Sequence, residues 1–129
     1  MNAPLHRELP PSALDPVALR QHTDAAWDGG IVQALRDYIE VPAKSPMFDP
    51  DWAAHGFLDT VVRRAADWVL AQGVQGLQLE IVRLEGRTPV LFFEIPAQGT
   101  ACRETVLMYG HLDKQPEFGG WRSDLGPWT

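Results

Sequence analysis

The chain has 129 residues and a formal net charge of −6, from 11 Lys and Arg against 17 Asp and Glu. An acidic balance excludes the basic stripe of a nucleic-acid binder and argues against docking on an anionic membrane. Hydrophobic residues make up 45%, and five tryptophans and five phenylalanines need burial, so eleven prolines and eleven glycines read as turns within one folded domain.

Residues 1–14 are polar and proline-punctuated and read as a flexible lead-in to a domain over 15–129. Asp15-Pro16 is a helix start, with an acceptor at the N-cap and proline at the first helical position. Asp28-Gly29-Gly30 interrupts or kinks that helix, since each glycine weakens a helix by about 1 kcal/mol relative to alanine. Ile31, Val32, Leu35 and Ile39 then recur with helical period until Val41-Pro42 ends the run. Asp49-Pro50 repeats the start signal. Ala54, Leu58, Val61, Val62, Ala65 and Val69 form the clearest apolar stripe in the chain, and Gly73 stops it.

The period then changes. Leu77 to Ile81 alternates as a half-buried strand, Gly86 to Pro89 turns, and Val90 to Ile95 is its hairpin partner. Thr105 to Tyr109 reads as a third strand, apolar on both faces and therefore central. The fold expected is α/β: helices packed on one face of a mixed β-sheet, with ligand chemistry at the C-terminal end of the third strand. The tail from Gln115 reads as irregular structure carrying Phe118, Trp121 and Trp128. The two tryptophans are expected to cover the sheet edge, with a place along a substrate approach as the alternative.

One cysteine, Cys102, excludes an internal disulfide framework and reads as a packed or incidental thiol. No apolar run approaches the length of a membrane span, and the first residues lack the apolar centre of a secretory signal. Cytoplasmic location is the expectation.

Chemistry concentrates in Val106-Leu107-Met108-Tyr109-Gly110-His111-Leu112-Asp113-Lys114-Gln115-Pro116. On an extended backbone His111 and Asp113 point to the same side and can meet. A metal-binding histidine needs that partner: one ring nitrogen on the metal, the other held by a carboxylate. His6, His22 and His55 are expected at the surface or in packing roles, and Glu117 as a solvated charge.

Tyr109 to Pro116, followed by Trp121 and then Gly126-Pro127-Trp128-Thr129, resembles the first signature of the M20 family of zinc-dependent peptidases. Phe48 to Trp52 and Gly86 to Leu91 are similar to upstream segments of such proteins. The family includes carboxypeptidases, small-peptide dipeptidases and acyl-amino-acid deacylases. The resemblance implies that the chain is the N-terminal portion of a metallopeptidase catalytic domain. His111 would be the first zinc ligand and Asp113 the catalytic-site aspartate that braces it. The complete fold would hold two zinc ions and hydrolyse amides of small peptides or N-acyl amino acids. The remaining ligands and the general base would lie beyond Thr129, so the chain alone is expected to be inactive and to bind zinc weakly.

Two rivals stand beside that reading. One is a non-catalytic interaction or complementation fragment that associates with the missing remainder of the fold. The other is a metal-free hydrolase using His111 and Asp113 with Ser123, which lacks the glycine-flanked elbow of a serine nucleophile.

Overall fold

A computed structural model describes residues 15–97 and 104–129. The expected lead-in, His6 and Cys102 lie outside the described residues. The chain divides into two compact units, Met1–Leu35 and Arg36–Thr129.

The first unit contains α1, Pro16–Ala26. Asp15 caps it as expected: its carboxylate accepts from the Val17 amide at 2.9 Å, and Pro16 occupies the first turn. Asp28-Gly29-Gly30 interrupts the α-helix, as expected, without ending the helical run. Trp27–Ile31 form a π-helical turn, with the Val32 amide reaching back to the Trp27 carbonyl. The chain absorbs one extra residue there and continues as α2, Val32–Ile39. No side chain of α1 is buried.

In the second unit, α2 stops just before Val41-Pro42, as the proline requires. The stretch expected to run as one helix from Asp49-Pro50 is two helices. α3 spans Trp52–His55 and α4 spans Phe57–Ala71. The break is Gly56, whose φ of 68° is left-handed and ends α3; that region costs little for glycine. Nor does Asp49 cap a helix with its side chain. It is buried, 7% exposed, and its carboxylate meets His55 Nδ1 at 2.9 Å. Gly73 takes φ 62° just past α4, where a helix stop was expected.

Leu58, Val61, Val62 and Ala66 of α4 are buried. Ala66 thus replaces the expected Ala65 at the centre of the stripe. Leu58 and Val61 join Val41 and Ala43 in a core that Tyr38, Trp52, Phe57 and Leu112 pack against. Each fully buried Val or Leu side chain there contributes about 1.5–3 kcal/mol.

The hairpin forms in the expected place. β1, Gln78–Val82, pairs antiparallel with β2, Val90–Glu94, with Leu79 opposite Phe93 and Ile81 opposite Leu91. The helix α4 packs on both strands. The Asp59 carboxylate of α4 accepts from Arg63 one turn on, and from Arg83 just past β1 at 2.5 Å. That ties helix to hairpin.

The third strand is the main correction. Among the described residues the sheet is two-stranded and antiparallel, and Thr105 to Tyr109 form no strand. Val106, Leu107, Met108 and Tyr109 are 85–90% exposed. A strand apolar on both faces needs neighbours on both sides, and the described residues supply none. The structure is therefore α/β in content, helices with a small antiparallel hairpin.

Candidate functional site

The chain regains its hold on the core at Leu112. The Leu112 side chain packs against the core cluster, and its carbonyl accepts from the Tyr38 hydroxyl at 2.9 Å. Lys114 follows with a single parallel β-bridge to Lys44. Its amide donates to the Ala43 carbonyl and its carbonyl accepts from the Ser45 amide, both at 2.9 Å. Leu112 and Lys114 thus engage the body of the second unit, while the residues beside them, His111 and Asp113, meet each other.

That meeting is the geometry expected of the pair. His111 Nδ1 lies 3.0 Å from Asp113 Oδ1 and 3.0 Å from the Asp113 carbonyl oxygen. Both oxygens are acceptors at neutral pH, so Nδ1 must carry the proton and donate. In neutral imidazole the other nitrogen, Nε2, then holds a lone pair. Nε2 makes no hydrogen bond among the described residues. The His111 side chain is 63% exposed and that of Asp113 37%. The pair is therefore open to an approaching ion, and it sits at the foot of an exposed apolar segment instead of at a strand end.

The Lys114 ammonium is a feature that local sequence reading missed. It donates to the carbonyls of Tyr38 at 2.6 Å, Ile39 at 3.0 Å and Val41 at 2.5 Å. It also stands 4.2 Å from the centre of the Tyr38 ring and 5.2 Å from that of Trp128. Carbonyls at the C-terminal end of a helix carry partial negative charge, so a cation belongs beside the end of α2. Burial holds the Lys114 ammonium below its usual pKa. Burial, and after it the Asp113 charge, raises the Tyr38 phenol, so Tyr38 keeps its proton and stays a donor. The only sequence signal for this arrangement was a lysine beside the His-x-Asp. Its carbonyl partners are more than seventy residues away.

The other candidates fall elsewhere. His22 is exposed on α1. His55 is occupied by Asp49 and tilts over Phe57. Glu117 is exposed, as expected of a solvated charge, and pairs with Lys44 at 3.2 Å. Its carboxyl is held below the usual range by its own backbone amide and then by Lys44. Trp121 Nε1 donates to the Phe118 carbonyl at 2.6 Å, and Trp128 flanks Lys114. Ser123 lies exposed in a turn, and no hydrogen bond joins it to His111 or Asp113 among the described residues.

Zinc sites take three or four protein ligands. His111 and Asp113 fit the part of one ligand and its brace. Among the described residues no group of three or more His, Cys, Asp or Glu side chains is placed to hold a metal ion. Nor is any helix among them long and apolar enough to cross a membrane. No protein-family model matches the chain, and no curated protein matches it.

Proposed function

We propose that this chain contributes the first metal-ligating segment of a cytoplasmic, M20-like zinc hydrolase that cleaves amide bonds in small peptides or N-acyl amino acids. His111 would hold zinc through Nε2, and Asp113 would fix the ring's tautomer and strengthen it as a ligand. The further ligands and the general base would come from outside the described residues. When bound, zinc supplies a hydroxide nucleophile at neutral pH and polarises the amide carbonyl. The observation that carries this reading is the donation from His111 Nδ1 to Asp113, which leaves Nε2, on a largely exposed side chain, without a hydrogen bond among the described residues.

Titration of the full chain with paramagnetic Co2+, followed by amide NMR, tests it. The expected result is broadening centred on Gly110 to Asp113 that disappears in His111→Ala. Equal broadening around His22 and His55 would count against it. The chain alone is expected to show no zinc-dependent peptidase or deacylase activity, and such activity would contradict the single-ligand reading.

The exposed run Val106 to Tyr109 favours a second reading, a non-catalytic module whose role is association with a chain bearing the rest of such a fold. An apolar run of this kind is a template for strand pairing. Light scattering of wild type and Leu107→Lys distinguishes the two: association abolished by the lysine, with no Co2+ response at His111, favours the module.

A further inference from the structure

We infer that Tyr38 and Lys114 are positioning residues, clasping the chain on either side of Asp113 so that its carboxylate stays under His111 Nδ1. The inference rests on the metal-ligand reading of His111 and deepens it. Asp113 lies between two anchored neighbours. Leu112 is held by its packing against the core and by the Tyr38 hydroxyl at 2.9 Å. Lys114 is held through its backbone by Ala43 and Ser45 and through its ammonium by the Tyr38, Ile39 and Val41 carbonyls. Tyr38 serves both anchors: its hydroxyl takes Leu112, while its carbonyl and ring face take the ammonium.

The arrangement exceeds what capping α2 would need. An exposed lysine near the helix end would satisfy the dipole at little desolvation cost. Here the ammonium is drawn onto carbonyls on both sides of the helix end and an aromatic face. With its neighbours fixed, Asp113 has little freedom to swing away. The His111 tautomer is then set before any metal arrives, which is preorganisation of a ligand by its supporting residues.

Long-range 1H–15N spectra of the His111 ring test this in the full metal-free chain near neutral pH. Wild type is compared with Tyr38→Phe, Lys114→Met and Lys114→Arg. Wild type should show one dominant tautomer, protonated on Nδ1. Tyr38→Phe and Lys114→Met should each raise the Nε2-protonated population several-fold, with amide signals of α4 and the hairpin unchanged. Lys114→Arg, which keeps a cation on the carbonyls, should return the ring toward wild type. If Lys114→Met does not fold, Tyr38→Phe decides alone, because it deletes one oxygen and leaves the ring in place. A His111 tautomer unchanged in folded Tyr38→Phe or Lys114→Met overturns the inference, as does a wild-type ring protonated on Nε2. No metal enters this measurement, so a failed Co2+ titration would sink the ligand reading without touching the clasp.

Discussion

Replacing Lys114 by methionine removes the ammonium and keeps the apolar stem, so its cost measures the charged contacts. A hydrogen bond involving a charged group is worth about 1.5–3 kcal/mol net. The three here share one ammonium and do not add, and burial of the charge offsets part of the gain. Neutralising a cation at a helix C-terminus removes a further 0.3–1 kcal/mol or so, and loss of the ring contact about 0.5–1 kcal/mol. A net loss of about 2–3 kcal/mol is therefore expected for Lys114→Met. Lys44→Met is the matched control. Its partner Glu117 is 3.2 Å away with both side chains partly exposed, and such solvent-screened pairs contribute little to stability. Urea unfolding followed by tryptophan fluorescence reads both. With a slope of about 1–3 kcal/mol per molar, Lys114→Met should lower the midpoint by roughly 0.7–3 M. Midpoints for Lys114→Met and Lys44→Met that coincide would refute the argument that the partly buried ammonium anchors the 112–117 segment.

Gly56→Ala should destabilise by about 1–2 kcal/mol in thermal melts. No atom crowds the added methyl, so the penalty comes from the φ of 68° alone; an unchanged melt would mean that the α3–α4 break is not imposed by the backbone. His55→Ala should cost about 1–3 kcal/mol, because it strips a buried carboxylate, Asp49, of its partner; a loss under 0.5 kcal/mol or so would argue against that pairing. The Asp59 carboxyl is held below its ordinary value of 3.8, first by Arg83 and then by Arg63. A lowered folded pKa means the unfolded chain binds more protons, so this contribution is full above pH 3.8 and fades as pH falls through the folded value. Melts from pH 7 down to 3 should show the stability gap between wild type and Asp59→Asn closing on the acid side; a constant gap would contradict the assignment.

What the sequence made legible was local. Asp15-Pro16, the Gly73 stop, the alternation of β1 and the turn that makes β2 its hairpin partner each carry their own signal within a few residues, and each appears where it was read. The meeting of His111 and Asp113 was legible locally as well, because residues two apart on an extended backbone point to the same side, although what holds Asp113 in place is distant in sequence. Three features were not readable that way. Gly56 sits inside a good helical stripe, and periodicity alone gave no reason to break the helix there. Asp49 resembles a cap because it precedes a proline, but its carboxylate is taken up by His55 across the short α3. Residues 105–109 have the composition of a central strand, yet strand formation depends on neighbours that the described residues do not provide. The Lys114 clasp was invisible for the opposite reason: its partners at Tyr38, Ile39 and Val41 are distant in sequence and are backbone carbonyls, which leave no mark on residue identity.

The central claim is that His111 offers Nε2, and Nε2 alone, to a metal ion while Asp113 holds Nδ1. The most direct measurement is the ring 15N spectrum of His111 as Zn2+ is added to the full chain. The account predicts that the Nε2 resonance shifts progressively while Nδ1 keeps its proton and its coupling. Zinc shifts confined to His22 or His55, or a His111 ring that loses the Nδ1 proton on binding, would contradict it.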